Sequence, residues 1–259
     1  MTGNDKPIFL FVPGAWHQPE AFDGIRALMA KRGLQTAVVA LPSVGAEPPT
    51  KGLHDDIDHV RATITHLADD GRQVVVVAHS YGGMVCSGAV QGLEYSTRQA
   101  RSDSGQKGGV IMLVYMTAFV APKGSTLLDM LGGEWLPWMK FDGDYSYSSS
   151  EETVFYSDLA PAEQKKWIAK LRHHSKKAFL EPVPHEPWHD LPCTYLFCEK
   201  DLGLPMAVQE SFAKRLGSES TTFRCEGAHS PFLSVPEQVI ERLELAAKEG
   251  AVKSGVSVN

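Results

Sequence analysis

VVVVAHSYGGMVCSG (Val74–Gly88) decides how this chain folds. Four consecutive valines leave no polar alternation, so the strand they form is buried on both faces, as in a parallel sheet covered by helices. The run ends in His79 and Ser80, then in glycines and other small residues that let a helix pack close against a sheet. A residue at the carboxyl end of such a strand projects into the crevice where open α/β sheets place their chemistry. AHSYG (Ala78–Gly82) has the form G-x-S-x-G with Ala78 in the first position, a sharp, strained strand-to-helix turn that exposes a serine hydroxyl. Taken alone, the same residues also suit a plain helix cap, where serine is favoured. Partners elsewhere in the chain decide between the two.

Working outward, strand-like and helix-like segments alternate. IFLFVPG (Ile8–Gly14) is followed by a helical stretch to about Arg32, then TAVVALP (Thr36–Pro42), and a helix from about Asp55 to Leu67 with Ile57, Val60, Ile64 and Leu67 at helical spacing. After the valine strand come a helix over Gly82–Leu93, a polar loop over Tyr95–Gly108 and a strand over Gly109–Phe119. From Pro122 to Leu191 the pattern breaks: Pro, Gly, Trp and Tyr are frequent, strand-like runs vanish, and only Pro161–Phe179 reads as a helix. The alternation then resumes with a strand over Cys193–Asp201, a helix from about Pro205, a strand over Ser220–Gly227 and a helix from Pro236 to about Glu249, before a frayed tail. The expected fold is one α/β domain with a mostly parallel central sheet and helices on both faces. Residues 1–121 and 192–259 form its core, and 122–191 form an inserted lid.

A serine hydroxyl is a weak nucleophile at neutral pH and needs a histidine base that a carboxylate orients. Asp201 follows the strand TYLFCEK and His229 follows TTFRCEG, so both fall at strand carboxyl ends, on the rim that carries Ser80. Glu199 is the rival acid but lies nearer the strand interior. His79, adjacent to Ser80, points to the opposite face and reads as a packing residue. Stabilising an oxyanion takes main-chain N–H groups: that of Tyr81, next to the serine, and that of Ala15 in the loop PGAWH (Pro13–His17) after the first strand.

Composition sets the outer limits. The formal net charge of −6, with no dense Lys/Arg stripe, argues against nucleic acid as a partner. No segment has the length and apolarity of a membrane span, and the first sixteen residues lack the apolar run of a secretory signal. Cys86, Cys193, Cys198 and Cys225 sit among apolar residues without a metal or disulfide spacing, which reads as buried free thiols in a cytoplasmic protein. Oligomeric state stays open, a homodimer included.

FVPGAWH (Phe11–His17), AHSYGGMV (Ala78–Val85), LVYMTAFVAPKG (Leu113–Gly124), LFCEKDLGLP (Leu196–Pro205) and EGAHSPFLSVPEQV (Glu226–Val239) together resemble the plant methylesterase and hydroxynitrile lyase branch of the α/β-hydrolase superfamily. They are still more similar to its microbial salicylate-esterase-like relatives. The resemblance spans nearly the whole chain. It implies an α/β-hydrolase fold, Ser80, Asp201 and His229 as triad, Ala15 and Tyr81 as oxyanion donors, and no metal or organic cofactor. Two positions depart from the pattern. Pro13 precedes Gly14 where the plant proteins have His-Gly. Gly14 and Ser230 stand where the lyases carry the threonine and lysine that handle cyanide, which disfavours that activity.

HEPWH (His185–His189) matches the HExxH zinc pattern, but Pro187 within it denies the helix that would put both histidines on one face. LHDDIDH (Leu53–His59) reads as acids answering the positive end of a helix. The aromatic residues of the lid suggest an apolar cavity over the serine, with Trp16 and His17 of the first loop and Trp135 and Trp138 of the lid as its lining. The expected activity is hydrolysis of a small apolar or aromatic carboxylic ester or lactone. The alternatives are carbon–carbon cleavage of lyase or retro-Claisen type by the same residues, and a ligand receptor with little turnover.

Overall fold

A computed structural model of the chain describes residues 6–101 and 108–256. The first half contains β1 (Ile8–Val12), α1 (Asp23–Lys31), β2 (Gln35–Val38), α2 (Leu53–Asp69), β3 (Gln73–His79), α3 (Gly82–Ala89), α4 (Tyr95–Arg101) and β4 (Gly109–Met116). Between β4 and the next strand of the main sheet come α5 (Leu127–Met130), β5 (Met139–Asp142), β6 (Tyr145–Ser148), α6 (Glu151–Val154), α7 (Pro161–Ile168) and β7 (His174–Ser175). The chain then completes β8 (Cys193–Cys198), α8 (Met206–Ala213), β9 (Thr222–Cys225), α9 (Pro231–Ser234) and α10 (Pro236–Lys253).

Six strands form one parallel sheet in the order β2-β1-β3-β4-β8-β9. The valines of β3 split between its two faces. Val74 and Val76 enter one apolar core with α2 and α3, whereas Val75 and Val77 enter the other with α1 and α10. All four are fully buried. At about 25 cal/mol per Å² of apolar surface removed from water, burial of these valines on both faces anchors β3 in the interior of the sheet. The strand order reverses direction between β1 and β3, and that switch point opens a crevice at the strands' carboxyl ends.

The elbow after β3 is tight. Ser80 takes a left-handed φ of 52°, and Gly83 admits no side chain, because a Cβ there would lie 2.3 Å from the Phe119 carbonyl oxygen. This is the close helix-to-sheet approach implied by the small residues after the serine.

Several local expectations need correction. Strands are not absent between Pro122 and Leu191: β5, β6 and β7 form a small antiparallel sheet, with β5 and β6 joined through Gly143 at φ 56°. The helix expected over Pro161–Phe179 stops at Ile168. Beyond it the backbone is drawn out by bonds to the core, from the Arg172 amide to the Trp16 carbonyl (3.0 Å) and from the Ser175 amide to the Ser43 carbonyl (3.0 Å). Tyr95–Arg101, expected as loop, is α4, anchored by Arg98 to Asp69 at 2.7 Å and to the Gly108 carbonyl at 2.9 Å. The remainder of that loop, 102–107, lies outside the described residues, as do 257–259 of the expected tail, while α10 runs on to Lys253. Among the described residues no helix is long and apolar enough to cross a membrane.

Candidate active site

Three strand ends deliver three side chains to one point. Ser80 follows β3, Asp201 follows β8 and His229 follows β9. The Ser80 Oγ lies 3.1 Å from His229 Nε2, and His229 Nδ1 lies 2.7 Å from Asp201 Oδ2. Because Nδ1 faces a carboxylate it must carry the proton, so Nε2 is free to accept from the serine hydroxyl. Asp201 is held on every side: Oδ1 accepts the main-chain N–H groups of Gly203 (2.7 Å) and Leu204 (2.9 Å), and Oδ2 also accepts the Thr117 hydroxyl. Glu199, the rival acid, sits on the surface 3.6 Å from Arg224.

The loop after β1 closes the site from the other side of the switch point. A Cβ on Gly14 would come within 2.8 Å of the Ser80 Cβ and 3.0 Å of His79 Nδ1. A threonine at this position therefore has no room in the present packing. Gly14→Ala is expected to lower stability by about 1–3 kcal/mol through overpacking and kcat/KM roughly tenfold through displacement of the serine. Thermal unfolding and steady-state kinetics of the purified variant check both effects. Among the described residues, neither the Ala15 nor the Tyr81 N–H donates to a protein acceptor, which leaves both available to a ligand oxygen.

A cleft opens over Ser80 and His229, with about 470 Å³ of empty space when its solvent-open mouth is included. Its walls are apolar and largely aromatic, with Trp16, Phe119, Trp138 and Phe155 prominent, and among the described residues no lysine, arginine or carboxylate lines it. Much of the wall comes from the segment between β4 and β8, including Leu127, Leu131, Leu136 and Trp138. Trp135 does not line the cleft as expected. Its ring packs on Phe141 at 4.6 Å, and the neighbouring Leu136 faces the cavity instead. Trp16 and His17 do reach it. Trp16 donates through its indole N–H to the Ser146 carbonyl at 3.2 Å, pinning the loop to β6. His17 donates from Nδ1 to the Ala15 carbonyl (2.8 Å) and accepts the Tyr156 hydroxyl at Nε2 (3.1 Å). Burial pushes its pKa down to about 4, so it stays neutral.

His79 does more than pack. It turns under the site and donates from Nε2 to the His229 carbonyl at 2.7 Å, with the two rings 5.0 Å apart. Burial holds it well below the usual histidine range. Three further supports escaped the sequence reading: Thr117 on Asp201, Tyr156 on His17, and Asp158, whose Oδ2 accepts the Ala228 N–H at 2.7 Å beside His229. Thr117 stands immediately after β4, so the strand-end rule that located Ser80, Asp201 and His229 would also have found it. HEPWH forms a short 3₁₀ turn over Pro187–His189, with His189 3.1 Å from Glu186 and His185 3.4 Å from Asp190.

A parallel sheet with its switch point between β1 and β3, and Ser, Asp and His beyond the carboxyl ends of β3, β8 and β9, defines a class of proteins. The sequence pattern of the alpha/beta hydrolase family matches residues 9–242, and the chain belongs to that family. It is 31% identical over 250 residues to the alpha/beta hydrolase nvfD of Aspergillus novofumigatus, covering 94% of this chain and 98% of that protein. Among solved structures it resembles a pyrethroid hydrolase from Sphingobium faniae JZ-2, with a TM-score of 0.70, 21% identity and coverage of 94% and 97%. It also resembles the methylesterase MES16 from Arabidopsis, with a TM-score of 0.72, 19% identity and coverage of 94% and 99%.

Proposed function

We propose that this hydrolase is a serine esterase that cleaves carboxylic esters with an uncharged, apolar or aromatic acyl group. The observation that carries this reading is the unbroken hydrogen-bonded series Asp201–His229–Ser80 on the wall of a cleft without charged side chains. Ser80 attacks the ester carbonyl while His229 Nε2 takes its proton. The main-chain N–H groups of Ala15 and Tyr81 hold the oxyanion, each worth about 2.7–4 kcal/mol in the transition state. His229, its charge stabilised by Asp201, returns the proton to the departing alcohol. Water activated by the same imidazole then attacks the acyl-serine and releases the acid. Residues 122–191 act as a cap that excludes bulk water and selects the acyl group by its aromatic wall. The names of the relatives, a pyrethroid hydrolase and a methylesterase, agree with an ester substrate.

A fluorophosphonate probe followed by peptide mass spectrometry tests the nucleophile, and a panel of aryl, methyl and lactone esters tests the substrate class. Labelling confined to Ser80 with turnover of neutral aryl or methyl esters is expected. High-affinity ligand binding with negligible turnover would make the chain a receptor. Carbon–carbon cleavage without an acyl-serine would make it a lyase.

A further inference from the structure

Behind the nucleophile elbow lies a second array of buried polar side chains that the proposed chemistry does not use. Asp56, in the first turn of α2, is fully buried. Its hydrogen-bond partners are all uncharged: Oδ1 accepts the Ser43 N–H at 2.9 Å, and Oδ2 accepts the Ser43 hydroxyl at 2.5 Å and the Tyr81 hydroxyl at 2.9 Å. The Ser43 Oγ also lies 2.6 Å from His174 Nε2. Since Ser43 gives its one proton to the carboxylate, His174 Nε2 must be a donor and its Nδ1 a bare nitrogen. Among the described residues Nδ1 has no partner, and a bare nitrogen tolerates that better than an N–H would. The array therefore runs His174 to Ser43 to Asp56, with Tyr81 joining from the other side.

Four separate parts of the fold meet here: the loop after β2, α2, the elbow, and β7 of the inserted segment. The meeting is reinforced in the main chain, where the Gly45 amide donates to the His173 carbonyl at 2.8 Å and the Ser175 amide to the Ser43 carbonyl at 3.0 Å. The His174 ring stands edge-on to Tyr81 with centroids 5.0 Å apart.

A buried carboxylate without a cation is an expensive way to gain stability, since apolar residues of similar volume do as well or better. A fully bonded buried network does fix geometry. The member of this array that touches the site is Tyr81. Its N–H is one of the two unclaimed amides, and it follows a serine whose φ of 52° must be imposed by its surroundings.

We propose that Asp56 is a positioning residue. Through the Tyr81 hydroxyl it holds the Tyr81 amide in the orientation an oxyanion requires, and docking of His174 on Ser43 completes that hold when the inserted segment is seated. The alignment of the oxyanion donor is thereby coupled to the seating of the cap. This rests on the serine-esterase reading above.

Tyr81→Phe, Asp56→Asn and the double variant are compared with the unaltered chain by thermal unfolding, by hydrolysis of p-nitrophenyl butyrate, and by the rate at which a fluorophosphonate modifies Ser80. Each single variant is expected to lower kcat and the phosphonylation rate roughly tenfold while KM stays within about twofold, since a hydrogen bond to a charged group and the donor it aligns are lost. The double variant should fall no further than the weaker single one, because both break the same link. Tyr81→Phe removes one oxygen and leaves Asp56 both Ser43 donors, so it keeps the test valid if Asp56→Asn fails to fold. Unchanged kcat and phosphonylation in folded Tyr81→Phe, or a loss confined to melting temperature, overturns the positioning role while the esterase reading stands. If the unaltered chain is neither modified at Ser80 nor active on esters, the esterase reading fails and this proposal falls with it.

Discussion

Ser80→Ala will lower kcat for ester hydrolysis roughly a millionfold, and adding His229→Ala to it will remove almost nothing more. In the proposed mechanism the two groups act as one unit: without the hydroxyl there is no acyl-enzyme to form, and without the imidazole at 3.1 Å the hydroxyl keeps its proton. Asp201→Asn is the more informative change. The Gly203 and Leu204 N–H groups both point at Oδ1 and require an acceptor there. The new amide nitrogen must then take the place of Oδ2 and face His229 Nδ1 with a donor. The imidazole answers by moving its proton to Nε2, where it can no longer accept from Ser80. A loss of about 10⁴ in kcat is expected from this wrong tautomer alone, with the fold intact. Pre-steady-state acylation measured beside circular dichroism checks it. A variant retaining activity within tenfold of the parent would assign the orienting role to another group.

How much of this was legible beforehand follows from the range over which each signal acts. The sheet and the placement of Ser80, Asp201 and His229 depend on local patterns: a valine run buried on two faces, and residues close behind the ends of strands. Ser80 follows β3 directly, and Asp201 and His229 lie three and four residues beyond β8 and β9, so these patterns need no knowledge of distant partners. Trp135 and Trp138 show the opposite case. Both lie in the same short aromatic segment, and which one faces the cleft is decided by contacts with Phe141 and Phe179 that the sequence does not order. The same holds for MKFDGDYSYS, where alternation and a glycine turn were present but each strand is only four residues long. Its partner β7 is two residues long and arrives from 26 positions beyond the end of β6, after α6 and α7.

Asp55 and Asp56 make the point most sharply. The sequence treats them alike as first-turn acids, and Asp55 does fill that role, accepting the Gly52 N–H at 2.9 Å and pairing with Lys51. Asp56 is in phase with Val60 and Ile64 at intervals of four, so it turns into the core with them. That phase could have been read from the sequence. Its partners Ser43, Tyr81 and His174 could not, because they are brought together only by the folded sheet and the inserted segment.

Stability will fall steeply as pH drops from 7 to 5, before the surface carboxylates titrate. His17, His79 and His174 are buried and neutral: burial pushes His17 down to about 4, His174 down to about 3, and His79 well below the usual range. In the unfolded chain each binds a proton near pH 6.5, whereas the folded protein refuses it. The unfolded state thus carries more protons throughout this window, and stability must rise with pH across it, by up to about 1.4 kcal/mol per pH unit for each histidine. Asp56 works the other way. Burial raises its pKa to about 6, above its unfolded value, so its contribution is fully present below about pH 4 and is lost as pH rises through 6. One raised carboxyl offsets only part of three depressed imidazoles, leaving a net loss on the order of 4 kcal/mol between pH 7 and 5. That is a large share of the total stability of an ordinary domain. Asp55, Asp129, Glu163 and Glu186 are all held below their usual values and titrate under this range. Urea midpoints at pH 7, 6 and 5 measure the slope, and His174→Asn should reduce it by about one proton's worth. A flat profile between pH 7 and 5 would mean that these imidazoles accept protons in the folded state, and with it the neutral His17 wall of the cleft would be lost.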